Sequence, residues 1–418
     1  MMEIKRDLYL NKLIERMNNG MIKVVTGVRR SGKSYLLLNI FSDYLRSQGT
    51  ADDHILQVEL DDRKNKALRD PDAFCDWVDS KIQDGRMYYL MIDEIQMLDE
   101  FVDVLNSMLH IRNVDTYVTG SNARFLSKDI ATEFRGRGDE IDIYPLSFAE
   151  FMSVYDGSEE KGIQEYLMYG GMPQVVTMVS SEAKAAYLDT LYVKTYRSDI
   201  MDRYSIRNPE EFDELVNILA SGIGGLTNPK TIADTFNSVK NVKIHRDTIA
   251  TYIEYLEDAF VISKAQRYDI KGRRYIGTPM KYYFADCGLR NAKLGFRQVE
   301  YTHLMENLIY NELKIRGFKV DVGSVTVIRQ NENNNNYRAH LEVDFVCNNA
   351  STRYYVQSAY KLPDQEKIQQ EKQSLVNLKD SFKKVIVVFD PIAPWHDEDG
   401  ILYISLFDFL LKPNSLDM

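Results

Sequence analysis

Residues 27–34 read GVRRSGKS, set between the apolar run IKVVT at 22–26 and a stretch of helical spacing, YLLLNIFSDYLRS, at 35–47. The run before the octet is short, β-branched and apolar, the composition of a strand buried on both faces of a parallel sheet. The octet itself fits G-x4-G-K-[ST]. Gly27 and Gly32 permit a tight turn whose backbone amides point inward, and Lys33 and Ser34 open the following helix. Such a turn is an anion cradle. Gly27, Val28, Arg29, Arg30, Ser31, Gly32, Lys33, Ser34 and Tyr35 are therefore expected to bind ATP through its phosphates. Lys33 would reach the β and γ phosphates, and the Ser34 hydroxyl would ligate Mg2+.

A second apolar strand, YYLMIDEIQML at 88–98, ends in the acid pair Asp93-Glu94. In a phosphoanhydride hydrolase the first carboxylate holds magnesium and the second orients and deprotonates the attacking water. A third strand, DTYVTGSNARFL at 115–126, ends in Ser121-Asn122. These small polar groups suit a sensor of the terminal phosphate lying between the first two strands, although GSN read alone is a turn. Next, in DIATEFRGRGDEIDIYPLSFAEF, Arg135 and Arg137 flank Gly136. An arginine there would neutralise transition-state charge on a neighbouring subunit's phosphate; a solvated basic loop is the other reading.

Together GVRRSGKSYLL, LMIDEIQ, VTGSNARFLS, FRGRGDEIDIYPLSFAEF and YGGMPQVV resemble a large group of bacterial and archaeal AAA-family ATPases that carry a C-terminal domain of unknown function. The resemblance runs in order along nearly the whole chain. It implies an α/β fold: a P-loop AAA-type parallel sheet, a helical lid, a winged-helix-like middle section and a restriction-endonuclease-like C-terminal α/β domain. The expected boundaries are 1–146, 147–204, 205–290 and 291–418.

Residue patterning supports the same division. From 147 to 203 the spacing is helical, broken by DGSEEKG and by YGGMP at 169–173, whose glycines and proline form a fixed turn. Arg197 and Arg203 lie in the last of these helices, either near nucleotide or on a solvated face. Three amphipathic segments, EEFDELVNILAS, KTIADTFNS and HRDTIATYIEYLEDAF, precede YDIKGRRYIGTPMKYYFAD, two strands around a basic loop. That is the order of a helix-turn-helix with a wing, and Lys271, Arg273 and Arg274 would touch phosphate if it binds duplex DNA. Asp247, Glu254, Glu257 and Asp258 on the third helix would repel that backbone, so a partner-binding role stands equal.

The C-terminal third reads αβββαβ, beginning with THLMENLIYNELKIRG. Glu306 and Asp344 occupy two of the expected metal-ligand places of a nuclease core. The third place is Gln357-Ser358-Ala359, where an anionic ligand has become an amide and the positioning lysine has become alanine. Such losses should cripple metal-assisted phosphodiester cleavage, with Lys361 as the lysine that would have to reach back. An inactive domain is expected, and the asparagines at 331–336 read as a hairpin tip.

Composition sets the remaining bounds. At 418 residues the chain is long enough for several cores, and 44% hydrophobic with 27% charged residues excludes a disordered or fibrous protein. No stretch reaches the roughly 18–20 apolar residues of a membrane span, so a cytoplasmic, membrane-free protein is expected. Cys75, Cys287 and Cys347 lie far apart, without a zinc or disulfide spacing. A net charge of −10 repels nucleic acid globally, so any DNA contact needs a local basic patch. The expected function is an ATPase, dependent on Mg2+, whose hydrolysis switches its domain arrangement. The alternatives are an ATP-gated DNA-binding or regulatory module and an ATP-dependent nuclease. Its partners would be duplex DNA or a protein client, and a homo-oligomer follows if Arg135 or Arg137 works in trans.

Overall fold

In the computed structural model the run at 22–26 becomes β1 (Ile22–Gly27), buried at every position. The structure describes residues 4–120, 136–239, 244–297, 299–330 and 335–418. They form two compact units, Met1–Pro145 with Asp258–Phe260, and Leu146–Glu257 with Val261–Met418.

In the first unit β1 joins β2 (Ile55–Glu59), β3 (Tyr88–Asp93), β4 (Val114–Thr119) and β5 (Gly138–Ile143). Their order is β2-β3-β4-β1-β5, with every neighbouring pair parallel. Parallel neighbours need crossover connections, which cover both faces, so alternate residues on each strand feed two separate cores. Val24, Leu90, Ile92 and Val118 face one way, against Phe74, Val104 and Leu105 of the helices Pro71–Lys81 and Phe101–Met108. Val25, Met91 and Tyr117 face the other way, against Leu36, Leu37, Phe41 and Leu45 of the segment that follows the glycine turn. Each large apolar side chain so buried contributes about 1.5–3 kcal/mol.

One pair breaks the apolar pattern. Lys23 and Asp115, on adjacent strands β1 and β4, are buried and bonded to each other. Asp115 also accepts from the Tyr117 hydroxyl at 2.7 Å and the Asn18 amide at 2.9 Å. Burial pulls the Lys23 pKa down, and its bond to Asp115 opposes that shift.

The second unit is built on an eight-stranded mixed sheet, β12-β13-β11-β10-β9-β8-β6-β7. Its strands are β6 (Ile262–Asp269), β7 (Arg274–Phe284), β8 (Lys319–Gln330), β9 (Asn336–Asn349), β10 (Thr352–Ala359), β11 (Lys383–Val388), β12 (Trp395–His396) and β13 (Leu402–Ser405). Strand parity again separates two cores. Tyr354, Val356, Val385 and Val387 pack under the helix Tyr301–Ile315, while Tyr355, Ile386 and Val388 pack with Leu375 of the helix Gln365–Val376.

The helices after Leu146 and the β6–β7 hairpin both pack into the second unit. Helices Phe148–Met152 and Glu159–Tyr169 place Phe148, Phe151, Ile163, Tyr166 and Leu167 in the same core as Tyr283, Leu304 and Val356. The β6–β7 hairpin follows the helices Pro209–Ser221, Pro229–Val239 and Arg246–Asp258, in the expected order. Arg267, Tyr268 and Asp269 pair in parallel with Val322, Gly323 and Ser324 of β8, so the hairpin is an edge of the large sheet. Pairing satisfies main-chain groups that an isolated hairpin would leave to solvent. The glycine turn at 169–173 is fixed as its composition requires. The Gly171 amide donates to Asp286 at 2.7 Å, and a Cβ at 171 would lie 2.3 Å from the Leu146 carbonyl oxygen.

Residues 331–334 of the asparagine run lie outside the described residues, but the flanking positions Gln330 and Asn336 pair as an antiparallel hairpin. All three cysteines are free, and among the described residues no helix is long and apolar enough to cross a membrane.

Removing one partner of a buried ion pair leaves an uncompensated charge. Asp115→Ala is therefore expected to cost the first unit about 3–5 kcal/mol, and Lys23→Met with Asp115→Leu to cost much less. Urea unfolding of the two variants checks the order.

Candidate functional site

Gly27 has φ 134°, and a Cβ there would stand 2.0 Å from the Ile143 carbonyl oxygen, so the close approach of β1 to β5 admits only glycine. Arg30 and Gly32 follow at φ 67° and 95°, reversing the chain into the helix that starts at Lys33. The first amides of that helix have no acceptor within it and face the turn. The turn is thus an anion cradle at the carboxyl end of β1.

Lys33 folds back into it. Its ammonium is buried and donates to the carbonyls of Gly27 at 3.0 Å and Val28 at 3.1 Å. Burial pushes its pKa down to about 8, against Glu94 and Asp93, which raise it. Ser31 is fully buried and among the described residues its hydroxyl has no partner, an orphan that a polar ligand in the cradle would satisfy.

Beside the turn stands Asp93, at the end of β3. Its Oδ1 accepts from Ser34 Oγ at 2.9 Å and from the Thr119 hydroxyl. Burial raises the Asp93 pKa, and these two hydrogen bonds hold it down. Thr119 Oγ1 in turn accepts the Glu94 amide at 3.1 Å. Glu94 has φ 53°, which turns the chain sharply after the strand, and its carboxylate accepts from Gln96 Nε2. Carboxylate oxygens of Glu59, Asp61 and Asp93 lie within 4.8 Å of one another. With Ser34 they form an oxygen donor set of the kind a hard divalent cation takes.

The third strand, β4, does lie between β1 and β3. Ser121, Asn122 and Arg135 fall outside the described residues. Arg137 is exposed and its carbonyl accepts the Ile22 amide at 2.9 Å. That bond is at the amino end of β1, about 16 Å along the strand from Gly27. Val28 is buried, while Arg30 and Tyr35 are exposed.

Two contributors escaped sequence reasoning. Arg6 donates to the Ser31 carbonyl at 3.2 Å and the Tyr144 carbonyl at 2.7 Å, clamping the turn to the segment after β5. Thr119 was in view, but its role depends on strand order. Nothing in the sequence marks the Arg6 partners, which lie 25 and 138 residues away.

Residues 19–152 match the family model of an AAA domain, and residues 160–300 that of a domain of unknown function (DUF8612). An uncharacterized Haemophilus influenzae protein is 33% identical over 418 residues, spanning 98% of this chain and 99% of that one. The chain belongs to the same family of AAA-domain proteins. Uncharacterized protein MJ1544 of Methanocaldococcus jannaschii is 29% identical, over 87% of this chain and 80% of its own. Among solved structures, the Walker-type ATPase PABY2304 of Pyrococcus abyssi is 16% identical, covering 70% of this chain and 96% of that one, with a TM-score of 0.49. The five-stranded parallel sheet is consistent with a P-loop AAA fold. The domain of unknown function follows the AAA domain, as the resemblance implies.

Outside the AAA domain, the structure brings Glu306 and Asp344 together, but not with Lys361. Lys361 is exposed, its ammonium 5.8 Å from the centre of the Tyr360 ring, and β10 has already ended at Ala359. The lysine that enters the cluster is Lys281, from β7, which donates to Glu306 at 2.8 Å. Gln357 Oε1 accepts the Asp344 amide at 3.3 Å, and the Ser358 amide donates to Asp344 Oδ2 at 2.9 Å. Arg197 is bonded to Asp213 at 2.7 Å, and Arg203 is exposed.

A phosphate ligand favours the charged form of Lys33, so its pKa rises on binding. Triphosphate affinity is expected to be level below pH 8 and to fall by up to about tenfold per pH unit above it. Calorimetric titrations between pH 6.5 and 9.5 check this, and an affinity flat across that range contradicts it.

Proposed function

We propose that the chain is an ATP-binding, Mg2+-dependent ATPase whose hydrolysis of ATP to ADP and phosphate switches its domain arrangement. The observation that carries this reading is the buried ammonium of Lys33 after β1, with one strand, β4, between it and the strand that ends in the Asp93-Glu94 pair, and Ser34 joined directly to Asp93. Amides of the 27–35 turn and Lys33 bind the phosphates and draw charge from the γ group. Bound magnesium, held through Ser34 and Asp93, supplies a positive charge against the phosphate oxygens.

Glu94 orients water and takes its proton as the new bond to the γ phosphorus forms and the bond to the bridging oxygen breaks; ADP leaves with the electron pair. Ser121 or Asn122, following β4, senses the terminal phosphate. Arg135 or Arg137 acts in trans, a role for which the distance of Arg137 from its own turn is the support. The working division remains 1–146 ATPase, 147–204 lid, 205–290 winged-helix-like and 291–418 nuclease-like without cleavage activity.

A second reading, contact with duplex DNA, is favoured by one feature of the second unit. A cavity of about 580 Å3 is lined by Lys271, Arg273, Arg353 and Lys379 and by a single carboxylate, Asp380. That carboxylate already accepts the Tyr355 hydroxyl at 2.6 Å. Arg353 is fixed by Asn348 at 2.7 Å and lies 5.6 Å and 5.2 Å from the Tyr268 and Phe382 ring centres. In a chain of net charge −10 this is a local cationic surface of the kind phosphate contact needs.

Glu94→Gln is expected to leave ATP affinity within about threefold while lowering turnover by roughly 10²–10⁴. Steady-state phosphate release measures it, and unchanged turnover removes Glu94 from the mechanism. For the second reading, duplex affinity should fall with salt, and Arg273→Ala with Arg353→Ala should reduce the logarithmic salt slope by about 2. No duplex binding at low salt ends that reading.

A further inference from the structure

Beneath the helix Tyr301–Ile315 three carboxyl groups converge on one ammonium. Lys281 Nζ lies 2.8 Å from Glu306 Oε1, 2.7 Å from Glu342 Oε1 and 3.9 Å from Asp344 Oδ1. The carboxyl groups come from the helix and from β9, and the lysine from β7, so no two of these elements are neighbours in sequence. Strand parity sets the faces: Lys281 and Tyr283 are two apart on β7, and Glu342 and Asp344 are two apart on β9. The Tyr283 hydroxyl adds a bond to Glu306 Oε1 at 2.6 Å. Lys281 is 3% exposed and Glu306 and Asp344 are 9% and 8% exposed.

The charges decide how this cluster works. Three carboxylates around one ammonium repel one another, and burying Glu306 and Asp344 without a counter-charge would cost several kcal/mol, while Glu342 is partly exposed. Burial opposes the Lys281 charge, but Glu306, Asp344 and Glu342 together more than offset it and hold the ammonium above the ordinary lysine range. Burial, and next Glu306, push the Asp344 carboxyl upward, and Lys281 holds it down. Oxygen atoms of this type and number are also what a hard divalent cation gathers. An ammonium already bonded to two of them stands where such an ion would have to sit.

We propose that Lys281 is the resident cation of this cluster, a tethered ammonium that closes Glu306, Glu342 and Asp344 to divalent metal and ties β7, β9 and the 301–315 helix together. The wild-type site is therefore cation-filled by the chain itself. Deleting the ammonium while leaving the three carboxyl groups converts the cluster into a metal site. Arginine at 281 keeps the positive charge and keeps metal out. The proposal rests on this geometry alone and is independent of nucleotide binding.

The test is Mn2+ binding followed by the loss of the free-ion spin-resonance signal, on the full chain without nucleotide. Because the acids near Asp93 would take an ion of their own, the readout is the difference between variants. Lys281→Met is expected to bind one more equivalent than wild type, with a dissociation constant of roughly 0.1–1 mM. Mn2+ should also raise its thermal midpoint, and the added equivalent should vanish in Lys281→Met with Asp344→Asn and be missing in Lys281→Arg. No added equivalent in a folded Lys281→Met overturns the proposal. Should Lys281→Met fail to fold even with Mn2+, wild type and Asp344→Asn decide: equal stoichiometry supports the proposal, and loss of an equivalent in Asp344→Asn overturns it.

Discussion

The first unit depends on the strand that separates β1 from β3. Adjacent strands lie about 4.8 Å apart, so inserting β4 sets the ends of β1 and β3 about 10 Å from each other, a gap that the Ser34–Asp93 bond crosses. β4 does more than fill the gap. Thr119 at its end bonds to Asp93 Oδ1 and accepts the Glu94 amide, and Ser34 reaches across to the same Asp93 oxygen. Cradle, metal-capable carboxylate and candidate base are therefore held in one hydrogen-bonded chain. Every side chain in it leaves a strand or helix end of a sheet buried on both faces.

Legibility followed the range of the interaction. The glycine turn could be read because its geometry is local: a φ of 134° and a Cβ position 2.0 Å from a carbonyl are demands that only glycine meets. Acids after a buried strand were readable for the same reason. The Arg6 clamp was not, since its two acceptors are brought to it only by the closed sheet. Lys281 was invisible for a related reason. Spacing along β10 pointed to Lys361, the nearest lysine in sequence, whereas the tertiary fold delivers one from β7. Alternation by two gives the face on which a strand residue lies, never the strand it will meet.

The same distinction explains why the helices after Leu146 and the β6–β7 hairpin read as separate modules. Amphipathic spacing reveals that each has an apolar face, but not that Phe148, Tyr166 and Tyr283 share one core, or that β6 extends the sheet through β8. A segment that contributes buried aromatics to a common core cannot move without exposing them. Any nucleotide-driven change in the second unit therefore moves these helices together with the sheet on which they pack.

Both candidate sites show one electrostatic economy, a buried lysine meeting oxygen atoms before any ligand arrives. In the second unit the lysine pairs with Glu306 and Glu342 and lies 3.9 Å from Asp344, and on our proposal it fills the site. In the first, among the described residues, it donates to two main-chain carbonyls with its charge weakened by burial, and an incoming phosphate would favour the charged form. The most direct measurement of that claim is calorimetric titration of ATP with Mg2+ into wild type and Lys33→Ala. The account predicts one site per chain, weakened at least ~100-fold by the substitution, about 2.7 kcal/mol. Equal affinities in the two proteins, or no binding by the wild type, would contradict it.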